Sequence, residues 1–311
     1  MDIFSHLLIG LLAASWASGF GPSFYVAVGA LMSIVPDFDF LLFPLWKRFP
    51  FTWHHGISHT LAFPIVISAL AYFALYKMTA ISDTRLFLIM LLTGSLHIFC
   101  DLLGTGGVPL LYPLSKSYIK LNIDLGINSL LTLFSMSGVA LLLVAYSGYV
   151  HLLDSESVTI LLSSIFVIYY PCRAVIKFYR EKRPENKGFI ALPTINPLVW
   201  KFARRRETSE AIEITLKTGG AMRSYRIPKD RRETIERCED LVYTYWHPEV
   251  QAEMRFFDFP CYNTVCQDGR MKIIWNSAEM GKFIEIEVVC EKGGVCVRKR
   301  FRRKYDSQIH P

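Results

Sequence analysis

Long apolar stretches in the first half of the chain constrain its fold more than any other feature. They cover residues 7–35, 61–76, 86–103, 127–149 and 158–171. Several of them approach or exceed the roughly 18–20 residues that a helix needs to cross a bilayer. After Arg173 the apolar runs shrink to strand length and charges become dense. The sequence therefore predicts an α-helical polytopic membrane domain followed by a small soluble α+β domain with mostly antiparallel strands.

The domain boundaries follow from this change in composition. We predict a transmembrane helical domain at residues 1–173, a basic, proline-containing linker at 174–200 and an α+β domain at 201–311. The prolines of the linker favour an extended strap over a helix. In the last domain the predicted strands cover residues 211–217, 271–276, 282–290 and 294–302, and residues 230–246 are the helical candidate.

Basic residues set the predicted topology. Lysines and arginines between residues 173 and 187 follow the last apolar stretch directly. Such residues favour the cytoplasmic side of a membrane segment, so the C-terminal domain is predicted to be cytoplasmic. Counting backward through the apolar stretches places the loops 47–53 and 104–126 on that same side. The chain is thus predicted to be a multi-pass protein of the cell membrane.

Histidines and aspartates gather at the ends of the apolar stretches that face the cytoplasm in this topology. They are Asp37, Asp39, His54, His55, His59, His97 and Asp101. Glycine and proline in SGFGP, residues 18–22, break the first stretch into two short helices or one kinked helix. A helical hairpin would bring His6 to the same edge, whereas one kinked span would leave His6 on the opposite side.

The spacing of these residues suits a metal ion. His55 and His59 are four residues apart, as are His97 and Asp101, and residues at this spacing share one face of a helix. A mixed histidine and carboxylate shell suits zinc, manganese or iron better than magnesium or calcium. We therefore predict a divalent transition-metal site for one or two ions, with zinc as the first choice and manganese or iron as alternatives.

Four motifs, in order along the chain, resemble those of a known family. They are His6 in SHLLIG, PDFD at 36–39, HHGISHT at 54–60 and HIFCDLLGTGGV at 97–108. Over about residues 1–170 the chain resembles the membrane-bound metal-dependent hydrolases, the YdjM-like group. The pattern of that family is a histidine near the start, then P-D-x-D, H-R-G-x-T-H-S, and H-x-x-x-D followed by a threonine and G-V.

The resemblance implies a set of metal ligands. The chain also departs from the family pattern at two places. The implied metal ligands are His6, Asp37, Asp39, His54, His59, His97 and Asp101. His55 stands where the family usually has arginine, and Ser58 with Thr60 stand where threonine and serine are usual. Helical spacing would pair His55 with His59, but the family pattern pairs His54 with His59. We follow the family pattern and place His55 beside the metal.

The resemblance also implies an activity. The family is similar, more distantly, to zinc-dependent phospholipase C and related nucleases, which implies hydrolysis of a phosphoester, with lipid headgroup phosphates as the nearest candidates. His55 and Asp39 are the predicted general acid and base. An anionic substrate is expected to contact His55, Thr105, Gly106, Gly107 and Lys116, although an ordinary interhelical loop is the alternative for residues 104–120. The lipid bilayer is the expected partner, and nucleic acid is not expected.

Two other classes of function compete with a hydrolase. A membrane scaffold could use the same ligands for a structural metal and bind a partner through its cytoplasmic domain. A metal or ion transporter would need polar residues near the middle of the bilayer on several helices. The polar residues of this chain gather at one edge instead, which makes transport the less favoured alternative.

Overall fold

The computed structural model describes residues 1–20, 23–39, 56–115, 117–147, 154–228, 258–267, 270–278, 281–291 and 294–301, together with 245, 250–251 and 254. The chain divides into two compact units, Met1–Ile176 and Lys177–Pro311.

The first unit is helical. Its helices are α1 (Ile3–Ala17), α2 (Ser23–Met32), α3 (Ala62–Thr79), α4 (Thr84–Leu103), α5 (Ser129–Ser147) and α6 (Ser155–Glu181). Helices α3 to α6 are long and apolar enough to cross a membrane. At a rise of 1.5 Å per residue, α1 spans about 22 Å and α2 about 15 Å, less than the roughly 30 Å of a hydrocarbon core. The predicted polytopic helical domain is confirmed.

Helices α1 and α2 form an antiparallel hairpin. The Ser33 hydroxyl donates to the carbonyl of His6 over 2.9 Å, while a Cβ atom on Gly29 would lie 2.6 Å from Cβ of Ala14. Residues near the start of α1 therefore contact residues just after α2, and residues near the end of α1 contact the interior of α2. At the turn Gly19 adopts a φ of 62°, in the left-handed region that glycine enters without steric cost. The hairpin places His6 at the same end of the unit as the end of α2.

Small residues let the helices approach closely. A Cβ atom on Gly138 of α5 would lie 2.8 Å from a methyl carbon of Leu8, and one on Gly94 of α4 would lie 3.2 Å from Pro64. Such contacts replace the hydrophobic driving force that helices lack in lipid. Helix α5 thereby packs against α1, and α4 packs against α3.

The structure corrects the predicted linker at 174–200. Helix α6 continues through Pro171 to Glu181, and its last turn carries an ion pair of 2.9 Å between Lys177 and Glu181, four residues apart as helical pairs require. Strand β1 (Ile190–Pro193) follows and pairs with β2 (Trp200–Glu207). Because β1 is an edge strand, it tolerates a proline at its end. The prolines therefore mark the ends of short elements within this segment.

The second unit contains two antiparallel four-stranded sheets. The remaining strands are β3 (Ala211–Thr218), β4 (Ala221–Pro228), β5 (Pro260–Gln267), β6 (Arg270–Ser277), β7 (Gly281–Glu291) and β8 (Gly294–Phe301). The sheet orders are β1-β2-β3-β4 and β5-β6-β7-β8. Ile214 and Ile227 of the first sheet share one buried core with Trp275, Ile286 and Val288 of the second. This confirms the predicted antiparallel strands, while most of the helix predicted at 230–246 lies outside the described residues.

Candidate metal centre

Side chains from four separate segments meet at one end of the helical unit. His6 lies near the start of α1, and Asp37 lies in the 3₁₀ turn at 35–39 that follows α2. His59 ends the short 3₁₀ helix Ile57–His59 just before α3. His97 and Asp101 lie one turn apart at the end of α4, on the same face, as their four-residue spacing predicts.

Four of these residues each bring one potential ligand atom into a compact cluster: Asp37, His59, His97 and Asp101. Nε2 of His59 lies 3.2 Å from Nε2 of His97 and 3.2 Å from Oδ2 of Asp101. Nε2 of His97 lies 3.3 Å from that same carboxylate oxygen. Oδ1 of Asp37 lies 3.6 Å from both imidazole nitrogens. A tetrahedral ion with ligand distances of about 2.0–2.1 Å has ligand atoms about 3.3–3.4 Å apart, so the geometry fits such an ion.

The hydrogen bond to the imidazole of His97 shows which of its nitrogens carries the proton. Nδ1 of His97 lies 2.7 Å from the carbonyl oxygen of Ser33. Because a carbonyl only accepts, this nitrogen carries the proton, and the Nε2 atom of neutral His97 presents a lone pair. Two carboxylate oxygens face the same space. A convergence of acceptors inside a protein requires a positive charge, which the amino group of Met1 supplies at Asp101 and which a metal ion would supply to the cluster as a whole.

His6 belongs to a second, overlapping group of ligand atoms. His6, Asp37, His97 and Asp101 each offer one ligand atom, and these atoms lie within 4.8 Å of one another. Nε2 of His6 lies 3.1 Å from Oδ1 of Asp101, and the rings of His6 and His97 stack at 3.7 Å. The amino group of Met1 also contacts Asp101. The group that contains His59 and the group that contains His6 have three residues in common: Asp37, His97 and Asp101. These three residues could bridge two ions.

Asp39 does not occupy the position that the sequence predicted for a metal ligand. Its carboxylate accepts a hydrogen bond of 2.6 Å from the hydroxyl of Ser58 and lies 3.7 Å from Nδ1 of His59. That nitrogen is on the opposite side of the ring from Nε2, which faces the cluster. Asp39 therefore lies behind His59, because alternate residues of the 35–39 turn point in different directions.

The charges of the cluster shift two pKa values in the metal-free protein. Burial raises the pKa of Asp37, but the hydrogen bond from His59 and the charges of His97 and His6 outweigh burial and hold the pKa well below its usual range. Burial lowers the pKa of His59, yet hydrogen bonds to Asp101 and Asp37 raise it to about 9. Without a metal, His59 thus carries a second proton at neutral pH.

The loop after α4 is held in place by its own contacts. The hydroxyl of Thr105 accepts a hydrogen bond of 3.3 Å from the backbone of Gly126. Gly107 adopts a φ of 71°, and the neighbouring Val108 pairs with Ile119 in an isolated β-bridge. These contacts give Thr105 and Gly107 a part in the loop fold. The predicted anion-binding role of Thr105, Gly106 and Gly107 stays a prediction, and Lys116 lies outside the described residues.

Several polar residues at this end of the helices were missed at the sequence level. Arg173 of α6 is buried and donates to Asp124 over 3.3 Å and to the carbonyl of Ile123 over 3.1 Å. Tyr169 donates to the other oxygen of Asp124 over 2.7 Å. The spacing of Tyr169 and Arg173, four residues apart on one helix, was the available signal, but its partner lies 49 residues earlier in the chain.

The two histidines that open the HHGISH motif remain untested. His54, predicted to bind the metal, and His55, predicted to act beside it, both lie outside the described residues. The distinction between them therefore stays a prediction.

The fold and the cluster together define a class: a polytopic membrane protein with a buried histidine–aspartate site at one end of its helices. The family model of the YdjM inner membrane protein matches residues 1–181. Because this match covers more than half of the chain, the chain belongs to the YdjM inner membrane protein family, and the resemblance to the YdjM-like group that was inferred from the motifs is confirmed. Searches among curated proteins and among solved structures found no match.

Proposed function

We propose that this protein is a membrane-bound metal-dependent hydrolase that acts on a phosphoester at the cytoplasmic edge of the cell membrane. The observation that carries the proposal is the convergence of two imidazole nitrogens and two carboxylate oxygens, in which each nitrogen lies 3.2–3.6 Å from the other nitrogen and from both oxygens. Buried groups of this kind are costly unless they bind a cation. The donor set of nitrogen and oxygen atoms suits zinc, with manganese or iron as alternatives.

His59, His97, Asp37 and Asp101 would hold the ion. A divalent ion in this position supplies positive charge that polarises a phosphoryl oxygen and makes a nearby water molecule more acidic. The chain itself fixes the orientation of the ligands: Ser33 holds His97 through Nδ1, and the backbone after α2 brings Asp37 to the two rings. His6, which contacts the other oxygen of that carboxylate, Oδ1 of Asp101, would orient Asp101 or help to hold a second ion.

The burial of the side chains indicates the direction of access. The side chains of His59, His97 and Asp101 are 0% exposed, whereas that of Asp37 is 12% exposed. A substrate would therefore approach from the 35–39 turn. Asp39, which is also 12% exposed, lies on this side. The role of His55 as an acid or base stays a prediction. Lipid headgroup phosphates are the candidate substrates because the site lies at one end of membrane-spanning helices.

The connections at the ends of α4 and α6 relate the site to the predicted topology. The backbone of Asp124 donates to the carbonyl of Leu103 at the end of α4 over 3.1 Å, and Asp124 pairs with Arg173 near the end of α6. The chain thus leaves the helical unit at the end where the cluster lies. The excess of lysine and arginine after Arg173 supports a cytoplasmic position for that end.

A structural metal in a membrane scaffold is the second candidate function. Four protein ligands around one ion close a tetrahedral site, whereas catalytic zinc sites keep a position open. The short separations among the four ligand atoms favour this alternative. Exposure of Asp37 favours the enzyme, because a partly exposed ligand can make room for a substrate.

The test uses the full chain purified in detergent. Wild-type protein should contain at least one equivalent of a transition metal by elemental analysis and should hydrolyse a member of a phosphoester and phospholipid panel. Asp101→Ala should lose most of the metal and the activity. Asp83→Asn, at the opposite end of α4, is the matched control and should retain both. Metal without activity would favour the scaffold, and wild-type protein without metal would contradict both functions.

A further inference from the structure

A chain of two hydrogen bonds lies on the side of His59 that faces away from the cluster. The Ser58 hydroxyl donates to Oδ2 of Asp39 over 2.6 Å, and the same oxygen of Ser58 lies 2.9 Å from Nδ1 of His59. His59 itself is fully buried. These contacts join a partly exposed carboxylate to an imidazole whose other nitrogen faces the ligand atoms.

The direction of both hydrogen bonds follows from the number of protons available. A serine hydroxyl has one proton, and an ionised carboxylate can only accept. The Ser58 proton is therefore committed to Asp39, so Ser58 must accept from Nδ1 of His59. This fixes the proton of neutral His59 on Nδ1 and leaves the lone pair of Nε2 directed toward His97, Asp37 and Asp101.

We propose that Ser58 and Asp39 are positioning residues that set the tautomer and the orientation of His59 for metal binding. This inference rests on the proposed metal site and assigns Asp39 a role behind the ligand rather than on the ion. A carboxylate that polarises the N–H of a ligating histidine through a hydroxyl raises the basicity of the nitrogen that binds the metal. Loss of such partners typically lowers metal affinity by about 10- to 100-fold.

The neighbouring Thr60 provides a matched control. Its hydroxyl is buried in the same turn but donates to the carbonyl of Ile57 over 2.9 Å and is not part of the Ser58–Asp39 chain. Thr60→Ala therefore removes a hydroxyl two residues from Ser58 without changing the partners of His59. Ser58→Thr keeps the hydroxyl of residue 58 and serves as the conservative rescue.

The experiment measures zinc affinity of the full chain in detergent by competition with a chromophoric chelator. We expect Ser58→Ala to lower affinity by about 10- to 100-fold at unchanged stoichiometry. Ser58→Thr and Thr60→Ala should stay within about threefold of wild type. Asp39→Ala should lower affinity to a similar extent, and the double variant should lose little more than either single variant, because both residues act through the same nitrogen.

The outcomes separate this inference from the proposed function. Wild-type protein that binds neither zinc nor manganese nor iron would overturn the metal site itself. Wild-type protein that binds zinc, together with a Ser58→Ala variant of equal affinity, would overturn only the positioning role. Additive losses in the double variant, with a larger loss in Asp39→Ala than in Ser58→Ala, would instead make Asp39 a direct ligand.

Discussion

At the scale of single residues, the protonation of His59 makes the affinity for a metal ion depend on pH. The hydrogen bonds to Asp101 and Asp37 raise the pKa of His59 from 6.5 to about 9 despite burial. In the metal-free protein the protonated ring therefore contributes stability fully below pH 6.5, and this contribution is lost as the pH rises through about 9. A metal ion takes the place of that proton, so binding releases it.

Metal affinity should therefore keep rising at pH values above the pKa of an ordinary histidine. Between pH 7 and 8.5 the association constant for zinc should increase about tenfold per pH unit, because one proton is displaced from His59. Chelator competition at a series of pH values, corrected for protonation of the chelator, measures this slope. An affinity that becomes constant above about pH 7 would show that the pKa of His59 is not raised.

At the scale of elements, a buried ion pair holds the loop between α4 and α5 against α6. The side chains of Arg173 and Asp124 are each 2% exposed, and Asn128 donates to the same carboxylate oxygen over 2.9 Å. Removing one partner leaves an uncompensated buried charge, which costs about 3–5 kcal/mol. The pair thereby joins the end of the helix that carries Asp101 to the last helix of the unit.

Arg173→Met should lower the melting temperature of the purified protein strongly. The guanidinium donates to both Asp124 and the carbonyl of Ile123, and methionine satisfies neither acceptor. Lys177→Met is the matched control one turn later, because its ion pair with Glu181 is more exposed and contributes about 0–1 kcal/mol. Equal melting temperatures for the two variants, measured by intrinsic fluorescence, would contradict a stabilising role for the buried pair.

At the scale of the whole molecule, the order of the helices sets which loops share a side of the membrane. The α1–α2 hairpin begins and ends at the cluster, α3 starts there, and α4 returns there. Helix α5 leaves from the loop that contains Asp124, and α6 comes back to that loop through Arg173. The start of α6 at Ser155 therefore lies at the end opposite to the cluster, whereas Ser115 lies in the loop at the cluster end.

Cysteine labelling in intact cells tests this arrangement together with its predicted orientation. A cysteine introduced at Ser155 should react with a membrane-impermeant maleimide added from outside, and one at Ser115 only after permeabilisation, since basic residues favour the cytoplasmic side. Labelling of the wild-type protein measures the signal that comes from the native cysteines. The reverse pattern would put the cluster on the outer face, and labelling of both positions from outside would contradict the helix order.

Much of the fold could be predicted because its signals are local. The apolar stretches predicted α3, α4 and α5 within a few residues, since length and hydropathy are properties of a continuous segment. Helix α6 continues past the predicted end at 171 to Glu181. The strand predicted at 282–290 similarly matches β7, Gly281–Glu291. Strand β2, with its run ARRRE at 203–207, was missed because its arginines are exposed, and the strand is defined by pairing with β3.

The candidate site divides in the same way. The sequence by itself determined the residue types, because the order of the motifs marked His6, Asp37, His59, His97 and Asp101 as a group. Only the tertiary structure decided that α1 and α2 fold as a hairpin and bring His6 to Asp101 across 95 residues of chain. It also decided that Asp39 lies behind His59 and that Arg173 is buried against Asp124. These contacts depend on the directions of side chains from different elements, and spacing within one segment does not encode those directions.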